Sequence, residues 1–177
     1  MDELAQALAT AGAKSAERLR ASGIAPDGLA EYVPPRRVML IQRAATMRPL
    51  GEVWRIGTLL VSASPELVSP FFVAGPATRA AKRLHPGNQS ISREERRDIA
   101  AAALAGGYAE GRSVNYDAVP VPTDGASLKE LGPEHPLGVV GTEIRVRWRA
   151  GASLDAAQTL EDYLAERTDL LIAREGA

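Results

Sequence analysis

The chain has 177 residues, a net charge of −1, and 45% apolar against 24% charged residues. That balance fits one globular domain rather than a disordered segment, and a chain of this length buries about 70% of its unfolded surface. There is no cysteine, which excludes disulfides, thiolate metal sites and a cysteine nucleophile.

Residues 2–22 read as an amphipathic helix. Leu4, Leu8, Ala11, Ser15 and Leu19 recur at helical spacing, and Glu3, Gln6, Lys14, Glu17 and Arg20 fall mostly off that stripe. Gly23 supplies a stop. The stripe is thin and alanine-rich, so residues 1–23 are expected to form a peripheral helix that packs weakly or against a partner. Ile24 to Pro35 reads as a connection punctuated by proline and glycine. Val38-Met39-Leu40-Ile41 is a continuous apolar run, the pattern of a short strand buried on both faces. Residues 53–61 alternate, with Trp54, Ile56, Thr58 and Leu60 on one face. Turn formers at 62–66 then lead into an apolar stretch at 67–74, so a hairpin is expected there. Pro70 places that strand at an edge or bulge.

Residues 75–91 read as a loop or short irregular helix. Ser92-Arg93-Glu94-Glu95 has the form of a capping box, in which serine and glutamate each satisfy a backbone N–H of the other. The helix it opens runs to Ala105 and ends at Gly106-Gly107. Residues 113–121 alternate before dissolving into Pro120-Val121-Pro122, as an edge strand would. The segment 122–138 is rich in turn formers, with one helical turn at 127–131. Val139 to Arg149 alternates best of all: Ile144, Val146 and Trp148 face one way, and Glu143, Arg145, Arg147 and Arg149 the other. Ser153 is placed to cap a last helix with Leu154, Ala157, Leu160, Leu164 and Leu171 as its stripe.

Helix, three strands, helix, two strands and helix, with short links between the strands, imply an α+β fold in a single domain, 1–177. A mainly antiparallel sheet of about five strands would be covered by two or three helices. A partly closed small β-barrel with flanking helices is the alternative. The expected core comprises Trp54, Ile56, Leu60, Ile99, Ile144, Val146, Trp148, Leu160 and Leu164. No apolar run approaches the ~20 residues of a membrane helix, and Met1-Asp2-Glu3-Leu4 is acidic where an export signal is basic. Cytoplasmic residence without a membrane partner is the expectation. The predominance of arginine over lysine suggests a GC-rich bacterial genome.

Phosphate-binding, dinucleotide-binding, nucleophile-elbow and metalloprotease motifs are absent, so neither cofactor nor metal is expected. His85 and His135, each before a proline, fit solvent-exposed turns. Charge is uneven: residues 36–97 carry ten arginines and one lysine against four glutamates, a net +7. Within that segment Arg79 and Arg83 precede the helix start at Ser92, where backbone N–H groups and the helix dipole favour anions. His85 and Asn88 from the connecting turn, and Asn115 and Tyr116 from the 113–121 strand, could complete a site for a small anionic ligand. The row Arg145, Arg147 and Arg149 could follow a nucleic-acid backbone, but its face lacks the aromatic side chains on which bases stack.

These features favour a non-catalytic binding or interaction protein. Homodimerisation is expected because helix 2–22 and the Phe71–Val73 edge look hard to bury within one chain. Two alternatives stand beside it: an enzyme or binder acting on a small anionic metabolite, and a weak nucleic-acid binder.

Overall fold

The computed structural model describes residues 2–83 and 90–176. Its elements in chain order are α1 (Glu3–Ala21), β1 (Asp27–Val33), β2 (Arg36–Val38), β3 (Ile41–Arg43), β4 (Thr46–Ile56), β5 (Leu59–Ser62), β6 (Phe71–Val73) and β7 (Ala77–Arg79). There follow α2 (Ile91–Ala105), β8 (Ser113–Tyr116), β9 (Val119–Pro120), α3 (Gly125–Lys129), β10 (Leu137–Val140), β11 (Glu143–Val146), β12 (Gln158–Thr159) and α4 (Leu160–Glu175).

The α+β class holds, but the sheet is larger than the five strands expected. Seven strands follow the order β7-β8-β1-β4-β5-β6-β9, beside a three-stranded sheet β10-β11-β12 and the isolated pair β2-β3. The large sheet is mixed, because β1 runs parallel to β8 and antiparallel to β4. No closed barrel forms among the described residues. Two compact units divide the chain, and β4 contributes to both: one holds Met1–Ala25, Trp54–Val73 and Val119–Ala177, the other Pro26–Val53 and Ala74–Ala118.

In the first unit, α1 starts where Asp2 accepts from the Leu4 N–H at 2.9 Å and the Ala5 N–H at 3.2 Å. The second oxygen of the same carboxylate accepts from the Gly125 N–H at 2.7 Å, so one side chain ties the starts of α1 and α3 together. Any β-carbon at position 125 would collide with that carboxylate. The Ala5 N–H contributes most to holding the Asp2 pKa below the ordinary carboxylate value. Leu4, Leu8, Ala16 and Leu19 of α1 are buried with Trp54, Ile56, Phe71, Ile144, Leu160 and Leu164. Phe72 is buried too. Both features that pointed to self-association are therefore largely covered by the chain's own residues.

Strand β5 is buried on both faces: Leu59, Leu60 and Val61 are all fully buried. The expected 53–61 strand folds back at Gly57-Thr58, where Gly57 takes a positive φ of 60°, and Thr58 is exposed. Helix α4 begins at Leu160 with Thr159 as its cap, accepting from the Asp162 N–H at 3.2 Å. Ser153 caps only a local turn through Asp155, because residues 158–159 are drawn into β12 against β11.

The largest departure from the sequence pattern lies after β11. Alternation holds through Ile144 and Val146, which are buried, and then inverts: Arg147 is 8% exposed and Trp148 75% exposed. Arg147 turns inward because backbone carbonyls converge on its guanidinium. Its Nε donates to the Ala152 carbonyl at 3.0 Å, and one terminal nitrogen donates to those of His135 at 2.8 Å and Leu137 at 2.9 Å. Trp148 stays outside with the Arg149 guanidinium 4.6 Å from its ring centroid. Arg145 reaches the carbonyls of Leu154 and Asp155 and the Glu143 carboxylate. The expected arginine row therefore does not form: Arg145 and Arg147 hold loop carbonyls, and that face offers no row of free cations. His135 is half-buried rather than solvent-exposed, its Nδ1 accepting from the Leu137 N–H at 3.0 Å.

In the second unit, the segment read as a connection, 24–35, supplies β1, an interior strand flanked by β4 and β8. The strand expected at 113–121 breaks at Asp117, where φ is 52°. Helix α2 lays Ala102 and Ala103 into a small core with Ala30, Met47, Ala80, Val114 and Tyr116, and Ile99 packs at its margin only partly buried.

Candidate functional site

The residues expected to bind an anion fall into separate environments. Arg79 is exposed on β7, paired in register with Ser113 of β8. Arg83 is engaged by Asp98 at 2.9 Å. Helix α2 begins at Ile91 with Ser90 in the cap position, so Ser92 sits inside the first turn and the capping box does not form. The Ser92 hydroxyl lies 3.4 Å from that of Ser90. Asn115 is fully buried, its side-chain amide donating to the Gly28 carbonyl at 3.4 Å. Tyr116 is buried beside Tyr32, ring centroids 6.2 Å apart, and burial raises its phenol pKa above the ordinary value. His85 and Asn88 lie outside the described residues.

A cleft of about 600 Å³ opens in the first unit between α1, α4 and the β10–β11 turn. Lys14 of α1 pairs with Glu161 of α4 at 2.7 Å, and Arg18 pairs with Asp169. Thr168 lines the cleft, and its buried hydroxyl has no hydrogen-bond partner. A helical threonine commonly bonds the carbonyl one turn back; Thr168 makes no such bond. No histidine and no paired nucleophile and base line the cleft. Among the described residues no group of three histidine, aspartate or glutamate side chains could hold a metal.

The most unusual surface lies on β2–β3. The run read as a doubly buried strand is instead the tip of an isolated two-stranded hairpin. Val38 pairs with Ile41, and Met39-Leu40 form the turn. Met39 is 91% exposed, Leu40 87% and Ile41 65%. Met39 takes a φ of 56°, a left-handed conformation that disfavours an ordinary side chain. Behind the tip Arg36 stands directly opposite Arg43, and Arg37 opposite Gln42. Like charges in direct cross-strand register destabilise a ribbon, and a lone two-stranded hairpin is marginal in water. The string Arg36-Arg37-Val38-Met39-Leu40-Ile41-Gln42-Arg43 carried the signal, since an apolar run bracketed by arginines is poor material for a buried strand.

No protein-family model, no curated protein and no solved structure matches this chain. No described helix is long and apolar enough to cross a membrane.

Proposed function

We propose that this is a non-catalytic interaction protein that docks through the β2–β3 hairpin. The observation that carries the reading is the exposure of Met39 and Leu40 at a turn that glycine would close with less strain. Large exposed apolar clusters mark interaction surfaces, and these side chains contribute nothing to either core. The chain has no cysteine, so Leu40→Cys offers one labelling position. A benzophenone attached there, irradiated in cells that make the protein, is expected to give one discrete adduct, to protein or to lipid. A smear of unrelated adducts, or none, removes the reading.

A further inference from the structure

We infer that the partner of the hairpin is an anionic lipid surface, met end-on by the tip. The inference rests on the docking reading above and names what is docked against.

The geometry of the ribbon supplies the first argument. Opposite residues of an antiparallel pair share a face, so Arg36, Arg43, Val38 and Ile41 lie on one side of the hairpin and Arg37 and Gln42 on the other. Positive charge therefore stands on both sides of the ribbon behind an apolar end. A one-sided groove on an acidic protein would leave one of these faces unmatched. A planar anionic layer met tip-first contacts both.

Depth supplies the second. From the Arg36–Arg43 pair to the turn is three residues, about 10 Å at ~3.3 Å per residue. Side chains that sit at the boundary between headgroups and acyl chains lie about 5–10 Å deep. With Met39 and Leu40 at that boundary, the arginines stand at the level of the lipid phosphates, where guanidinium pairs well with phosphate oxygens.

Charge supplies the third. Arg36, Arg37 and Arg43 form no ion pair among the described residues, whereas Arg48 of the same unit is already engaged by Glu31. An anionic plane relieves the repulsion between Arg36 and Arg43 that the free ribbon carries. Duplex nucleic acid offers phosphates as well, but the hairpin has three cations and no aromatic side chain to stack on bases. Attachment of this kind is peripheral, and no spanning helix is needed for it.

The test is flotation of the full chain with phosphatidylcholine vesicles, with and without phosphatidylglycerol, beside Met39→Ser/Leu40→Ser and Arg36→Glu/Arg43→Glu. The parent is expected to float with the phosphatidylglycerol vesicles only, and less so at high salt. The serine pair should weaken binding at least tenfold. The glutamate pair should weaken it about a hundredfold or more, since each basic residue at such a surface contributes about fivefold. Both variants should keep the parent's melting temperature. A folding-independent readout is an environment-sensitive fluorophore on Leu40→Cys, whose emission should shift to the blue on anionic vesicles and be quenched by brominated acyl chains. The inference is overturned if the parent ignores anionic vesicles, if both variants float as it does, or if the fluorophore stays in water. Retention on duplex DNA through Arg36 and Arg43, with no vesicle binding, overturns it as well. Should vesicles fail while the benzophenone on Leu40→Cys gives a discrete protein adduct, lipid is wrong and docking stands; should both fail, both readings fall.

Discussion

The hairpins β2–β3 and β10–β11 close in the same way, through two residues each, and the first residue of each turn has positive φ: 56° at Met39 and 61° at Gly141. Beyond the turn they differ in every respect that bears on stability. The β10–β11 pair uses glycine where the backbone is left-handed and buries Leu137, Ile144 and Val146. Arg147, at its end, gathers three loop carbonyls. The β2–β3 pair puts methionine in the left-handed position, exposes its apolar residues and sets two arginines against each other. One hairpin is explained by the fold it stabilises. The other adds no side chain to either core.

Truncating one apolar side chain in each hairpin should separate the two most widely. Leu137→Ala should cost about 3 to 4 kcal/mol in urea unfolding, because a fully buried leucine leaves a cavity. Leu40→Ala should change stability by no more than about 0.5 kcal/mol, as an exposed position does. A large loss at Leu40 would mean that the tip packs within the protein. Next in size is Arg147→Met, expected to cost about 2 to 3 kcal/mol, roughly 1 for each carbonyl left without its donor. Trp148→Ala beside it should be nearly silent, and equal effects at 147 and 148 would contradict the inverted faces.

Exchanging the turn residues probes the strain directly. A β-carbon at Gly141 would meet no atom within 4 Å, so Gly141→Met carries only the backbone penalty of about 1 to 2 kcal/mol. Met39→Gly should stabilise by up to about 1 kcal/mol, the entropy of the added glycine offsetting part of the relief. If Met39→Gly destabilises, the tip is not strained and its composition needs another account. The smallest effect concerns pH. Burial pushes the His135 imidazole below its ordinary pKa, Arg147 pushes the same way, and the backbone contact with Leu137 opposes them. The unfolded chain then takes up the proton first as pH falls through about 6.5. Stability from this group is present above that pH and lost as pH falls towards the folded-state value. Melting temperatures between pH 7 and 5 should fall less in His135→Gln than in the parent.

The anion site illustrates how far sequence spacing reaches. Arg79 and Arg83 are four apart and precede a helix, and that much was legible. Their grouping with Ser92, Asn115 and Tyr116 assumed that polar side chains beside a helix start turn towards it. Asn115 and Tyr116 are instead buried within the second unit, and Asp98, nearly two turns along α2, takes Arg83. A hydrogen-bonding side chain goes to the nearest unsatisfied partner, and that partner is set by chain segments remote in sequence.

Local chemistry alone determined α1, the body of α2, the turn of α3, the stripe of Leu160 and Leu164, and the alternation through Val146, because each follows from a period or a breaker within a few residues. Tertiary structure decided the rest. It made an interior strand of the segment 27–33 and turned Arg147 inwards towards carbonyls that no spacing could announce. It also left Val38–Ile41 in the open, although the same four side chains inside a sheet would have been core. Periodicity reports which residues share a face; whether that face meets protein or water depends on what the remainder of the chain brings against it.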